Sequence, residues 1–168
     1  MQNKKLQFVV QGGLIAALYV VLTYVFAPIS FSEVQIRISE ALTILPVFTP
    51  AAIPGLFVGC LLGNTLGGAA LPDIIFGSLA TLIGAFGTYA LRNSHPFLAP
   101  VPPIVANTLI VPFVLRYAYG VPLPIPFMML TVGIGEVVSC GILGLILFYA
   151  LRSRKNVIFG GNVQETAK

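Results

Sequence analysis

The sequence predicts an all-α integral membrane protein, a six-helix bundle whose second helix is short or broken. Three observations carry this. Hydrophobic residues make up 57% of the chain and charged residues 8%, with a mean hydropathy of +0.97, whereas a soluble domain carries roughly 25% charged residues. Apolar runs of spanning length recur between Pro, Gly and charged punctuation. The positive charges sit at the ends of those runs, where they act as topology signals.

Taken in order, the punctuation predicts helices over Leu6–Ala27, Ser39–Thr49, Ala51–Gly67, Asp73–Leu91, Val101–Tyr117 and Phe127–Leu151. The first run is longer than the apolar core of a signal peptide and ends at Ala27 without a small-x-small cleavage pattern, so it reads as a retained helix. The second run is too short to span alone. With Pro46, Pro50 and Pro54 around its junction with the third, the two read as a broken hairpin. The third run carries Gly55, Gly59, Gly63 and Gly67 at a spacing of four, a stripe that lets another backbone approach closely. Residues 1–155 form one expected domain, and the polar residues 156–168 an expected disordered tail.

With a cytoplasmic amino terminus, six crossings return the carboxy terminus to the same side. Lys4, Lys5, Arg92, Arg152, Arg154, Lys155 and Lys168 then lie inside, and Arg37 and Arg116 outside, the bias of the positive-inside rule in a multi-pass protein of the cell membrane.

Several function classes are disfavoured. The formal net charge of +4 comes without a basic cluster interleaved with aromatics, which argues against nucleic acid. There is no phosphate loop of the G-x-x-x-x-G-K-[ST] type. The single histidine, His95, lies in the expected cytoplasmic turn with no second histidine for a metal site. Ser78 and Ser139 have no histidine in sequence reach, so no nucleophile and base are paired. Cys60 and Cys140 fall in apolar runs and read as packing residues.

The intramembrane polar residues carry the functional signal, because an ionisable side chain costs roughly 2.5–3.5 kcal/mol at a helix centre on insertion scales. Glu136 lies nine positions after Phe127, about 13 Å down the helix at 1.5 Å per residue, on a face shared with Cys140 and Gly144. Asn107 lies at similar depth, Asn64 lies near the outer end of the third helix, and Arg37, Glu40, Asp73 and Arg116 crowd the outer rim. On this topology the polar positions lie at mid-depth or outside, and the expectation is a pocket open to the outside. Glu33, Glu40, Asp73 and Glu136 against Arg37 and Arg116 leave a net of two negative charges, which favours a cationic or proton-donating ligand. Other readings stay open: Asp73 as a helix N-cap, Arg37 with Glu40 as a pair three residues apart on one helix face, Arg116 as an interfacial anchor. Gly12 with Ala16 and Gly13 with Ala17 form a small-residue patch on the first helix, suited either to internal packing or to docking another subunit.

The stretch from Gln35 through Arg37, Glu40, Pro46, Pro50, Pro54 and Gly55 to Asn64, continued by Leu71-Pro-Asp-Ile-Ile-Phe-Gly-Ser-Leu-Ala-Thr-Leu-Ile-Gly84, closely resembles the QueT family. The resemblance implies an S-component, the substrate-binding subunit of an energy-coupling factor (ECF) uptake transporter, with no enzymatic activity and no cofactor. It implies capture of a queuosine precursor, 7-aminomethyl-7-deazaguanine or queuine, from outside, and work with a transmembrane coupling subunit and two ATPases. It also implies an Ala-x-x-x-Ala docking motif, matched imperfectly at Gly12, Gly13, Ala16 and Ala17. Within the matching motifs lie Arg37, Glu40, Asn64 and Asp73. The chemistry of the residues agrees: a carboxylate can accept two donors from the base edge, an Asn amide can meet its carbonyl and a second carboxylate its aminomethyl cation. Glu40 and Glu136 are the expected carboxylates, and Phe57, Tyr117 and Tyr119 are candidates to stack on the ring. The rival readings are an S-component for another water-soluble vitamin and a stand-alone facilitator or exporter of a small cationic solute.

Overall fold

The computed structural model describes residues 4–26 and 36–159, and all regular structure among them is helical. Ala27, Glu33, Gln35 and residues 160–168, on which some of the expectations fall, lie outside the described residues.

Six helices form the bundle: α1 (Lys4–Val25), α2 (Ile38–Val47), α3 (Ala52–Leu66), α4 (Leu71–Ala90), α5 (Val101–Tyr117) and α6 (Ile125–Arg152). The observed ends of α4 and α6 differ from expectation in an instructive way. Pro72 and Pro126 lie inside the first turn, not ahead of it, because a proline there gives up an N–H that has no helical partner anyway. Four segments, α1, α4, α6 and α5 with the residues before it, are long and apolar enough to cross a membrane. The protein is a multi-pass membrane protein.

The α1–α3 contact sets the architecture. A Cβ on Gly55 would lie 2.7 Å from the Gly12 carbonyl oxygen, one on Gly59 2.7 Å from the Tyr19 Cβ, and one on Gly63 3.3 Å from the Thr23 side chain. Residue numbers rise together along both helices, so α1 and α3 run parallel. The glycine stripe is therefore an internal contact, and it takes up Gly12 and Ala16. Glycines do the same work between α4 and α5, where a Cβ on Gly84 would lie 2.6 Å from the Pro103 Cα and one on Gly87 would overlap Pro102.

Helix α2 returns antiparallel to α1: Thr23 donates to the Ser39 hydroxyl at 2.8 Å near one end, and Thr49 donates to Gln11 at 2.9 Å near the other. It is wound as a 3₁₀ helix. At ~2.0 Å per residue this gives its ten residues a reach of about 20 Å, compared with about 15 Å for an α-helix. Neither α2 nor the 15-residue α3 covers a hydrocarbon core of ~30 Å. Their joining turn is largely covered by protein, with Phe48, Thr49 and Ala51 buried and Pro50 exposed. Irregular backbone at membrane depth is tolerated where protein covers it. The cover here is aromatic: Phe48 stacks on Phe148 at 5.2 Å and on Phe159 at 5.5 Å. Gln7 and Gln11 donate to the Phe159 carbonyl at 3.3 and 3.2 Å. The packed structure thus runs past Lys155, through a helical turn at Lys155–Ile158, into residues expected to be a disordered tail.

Candidate functional site

The site begins with α2 and α6, whose irregular winding brings two carboxylates together. Glu40 lies in the first turn of the 3₁₀ helix. Glu136 immediately precedes a π-helical stretch, Val137–Leu143, within α6. The wider turn of a π-helix re-aims the side chains around it and recurs at functional sites. Here Glu136, Cys140 and Gly144 all face the interior. One oxygen of Glu40, one oxygen of Glu136 and the Cys140 sulfur lie within 4.8 Å of one another. Two buried carboxylates at this separation repel strongly when both are ionised, so the pair is accommodated by a shared proton, a cation or hydrogen-bond donors between them. The same three donors stand close enough together to hold a metal ion; Glu136 and Cys140 share a helix face in the sequence, and Glu40 joins them only through the fold.

The two oxygens of Glu40 differ. Oε1 accepts from the Tyr19 hydroxyl and from Thr81 Oγ1 at 3.3 Å, whereas Oε2 is buried and forms no hydrogen bond of ordinary geometry among the described residues. Asn107, from α5, adjoins both carboxylates. Cys140 donates to Glu136 Oε2 at 3.1 Å, and Thr43 Oγ1 lies 3.4 Å from its sulfur.

Toward the α3–α4 connection lies a second polar group. Arg37 Nη2 is 3.6 Å from Asp73 Oδ2, and Arg37 Nη1 donates to Asn64 Oδ1 at 3.5 Å. Tyr119, in the α5–α6 loop, donates to Asp73 Oδ2 and accepts from the Ala70 N–H, both at 3.0 Å. Two of the open readings are thereby corrected. Arg37 pairs with Asp73, not Glu40, because the chain entering α2 is still extended at Arg37, with φ −94° and ψ 101°, so the two never share a helix face. Asp73 caps nothing: Ala70 occupies the N-cap position and no side-chain cap bond forms.

All six expected site residues, Arg37, Glu40, Asn64, Asp73, Asn107 and Glu136, are at most 4% exposed and belong to these two adjoining groups. Arg116 stands apart, exposed and donating to the Val121 carbonyl at 3.0 Å. Of the stacking candidates, Tyr119 is bonded into the site, Tyr117 is 78% exposed and Phe57 is half-buried.

The family model described as QueT transporter matches residues 9–153. The chain belongs to that family. A curated relative, the "Queuosine precursor transporter QueT" of Lactococcus lactis subsp. cremoris (strain MG1363), is 34% identical over 85 residues, or 49% of this chain and 50% of the relative. The match therefore spans about half the length of that relative. No solved structure matches the chain.

Sequence reasoning missed several residues of this QueT family member that the fold draws into the polar groups: Tyr19, Thr43, Thr81, and the two cysteines beyond their packing role; Tyr119, expected only as a stacking candidate, enters as a hydrogen-bonding one. A signal was present for some of them. Cys60 precedes Asn64 by one turn, Thr81 follows Asp73 by two, and Thr23 follows Tyr19 by one, so each marks a polar stripe on one face of an apolar helix. On the expected docking patch, Gly12 and Ala16 are buried, while Gly13 and Ala17 are exposed.

Proposed function

We propose that the chain is the substrate-binding S-component of an ECF-type uptake transporter and captures a queuosine precursor of the deazaguanine type, 7-aminomethyl-7-deazaguanine or queuine, from outside the cell. The observation that carries the proposal is the Glu40–Glu136 pair beside Asn107, buried together in place of the expected pocket open to the outside, with one Glu40 oxygen lacking a hydrogen bond of ordinary geometry among the described residues. A deazaguanine presents two donors on its base edge, a carbonyl and, in the aminomethyl form, a cation. That is the complement of two carboxylates and an amide. Family membership and the name of the Lactococcus relative support the same ligand class.

In this reading the chain carries out no chemistry and hydrolyses no nucleotide. Import is driven by a transmembrane coupling subunit and two ATPases, and the coupling subunit docks on the small-residue strip of α1 left uncovered by α3, at Gly13 and Ala17. Both termini are cytoplasmic, in keeping with the excess of Lys and Arg at the inner ends of the helices. On that orientation a thiol-reactive, membrane-impermeant reagent labels Tyr117→Cys from outside and Ser94→Cys from the cytoplasm, and the opposite pattern overturns the orientation.

The functional test is uptake of radiolabelled 7-aminomethyl-7-deazaguanine in cells that lack a system of their own. Accumulation is expected when the chain is co-expressed with an ECF coupling module, along with copurification of the module. Uptake by the chain without any module overturns the S-component reading.

A further inference from the structure

We infer that Tyr19 is a positioning residue for substrate recognition: it holds one oxygen of Glu40 so that the other is presented to the ligand. The inference rests on the reading of Glu40 as a substrate carboxylate. Tyr19 is fully buried on α1, and its hydroxyl donates to Glu40 Oε1 on α2. The base of the side chain is held closely, because its Cβ packs on the bare backbone of Gly59, where an added Cβ would come within 2.7 Å of it. Thr81 Oγ1 also reaches Glu40 Oε1, at 3.3 Å, but it lies 3.1 Å from the Gly77 carbonyl and 3.4 Å from the Cys60 sulfur. A hydroxyl has one proton to donate. The Cys60 sulfur also adjoins the Tyr19 hydroxyl, but a thiol sulfur is a weak acceptor beside a carboxylate oxygen, so the Tyr19 proton goes to Glu40 and Tyr19 is the principal donor that fixes the carboxylate.

With Oε1 engaged, Oε2 is left buried with no hydrogen bond of ordinary geometry among the described residues, while the Asn107 amide comes close to the carboxylate and Glu136 stands beside it. A buried acceptor left unpaired is costly, and a ligand N–H offered to it removes that cost. The contact also ties the Glu40 carboxylate to α1, the helix that carries Gly13 and Ala17.

The test is a set of purified variants titrated with 7-aminomethyl-7-deazaguanine: Tyr19→Phe, Glu40→Gln, the double variant and Thr81→Ala. Loss of one hydrogen bond to a charged group predicts about tenfold weaker binding for Tyr19→Phe, and less than a threefold change for Thr81→Ala, whose proton has other acceptors. The double variant is expected to bind as Glu40→Gln does alone, because Tyr19 acts only through Glu40. Additive losses, unchanged affinity in Tyr19→Phe, or an equal loss in Thr81→Ala overturn the inference. An infrared spectrum of the ligand-free protein reads the contact itself. Tyr19→Phe is expected to shift the carboxyl band that Glu40→Gln abolishes, and an unshifted band overturns the inference whether or not a deazaguanine binds. A wild-type chain that binds no deazaguanine while the band shifts overturns the substrate reading and supports the positioning role.

Discussion

Replacing Glu136 with Gln keeps the shape of the side chain, removes its charge and leaves Asn107 and Cys140 in place, which makes it a clean probe of the carboxylate pair. The size of the effect follows from the geometry. Two unit charges about 4 Å apart interact by about 4 kcal/mol at an effective dielectric constant of 20, and the separations among Glu40, Glu136 and Cys140 are of this order. A cationic or proton-donating ligand turns that repulsion into attraction but loses part of its own hydration, so a charge-assisted hydrogen bond yields about 1.5–3 kcal/mol net. Glu136→Gln is therefore expected to weaken binding by at least tenfold, ~1.4 kcal/mol. The ligand-free protein should be no less stable, because the variant relieves the repulsion from Glu40. Isothermal titration of the detergent-purified variant measures the first effect, and its thermal unfolding without ligand the second. Wild-type affinity in Glu136→Gln refutes the reasoning. So does a variant that loses binding together with a lowered ligand-free melting temperature, since Glu136 would then be a structural residue.

Three other perturbations test separate parts of the structure. Arg37→Ala strips the buried Asp73 of its ion-pair partner and is expected to cost about 3 kcal/mol in thermal unfolding, with part of the loss recovered in Arg37→Ala/Asp73→Ala. Gly59→Val forces side-chain atoms into the space held by Tyr19 and Ala16, and overpacking of about 1–3 kcal/mol should appear as a lowered melting temperature. Ala17→Phe adds bulk to the uncovered strip of α1, and is expected to abolish copurification with the coupling module while leaving ligand affinity within twofold of wild type.

The bundle was legible in the sequence because lipid imposes long apolar runs, and punctuation by Pro, Gly and charge divides them. The glycine spacing in α3 announced a close helix contact, but no single-chain pattern names the partner helix, and α1 emerged only from the fold. The polar site was partly legible for a similar reason. An ionisable group in a span demands an explanation, which singled out Glu136 and the residues around Glu40, whereas a Tyr, Thr or Cys in an apolar helix is unremarkable until something polar faces it. Two features could not be read locally at all. The 3₁₀ winding of α2 and the π-helical stretch of α6 are tertiary adjustments, and ordinary helical geometry assumes neither. The Arg37–Asp73 pair depends on where an extended entry segment passes α4. That placement is set by long-range packing, so the nearer Glu40 looked the more natural partner.

The central claim is that this chain alone recognises a deazaguanine through paired carboxylates. Calorimetric titration of the purified wild-type protein with 7-aminomethyl-7-deazaguanine, queuine, guanine and a panel of water-soluble vitamins tests it most directly. The account predicts saturable binding of the aminomethyl base at one site, with at least a tenfold preference over guanine, which lacks the cation. Guanine or a vitamin binding as tightly as the aminomethyl base, or no binding by any deazaguanine, would contradict it.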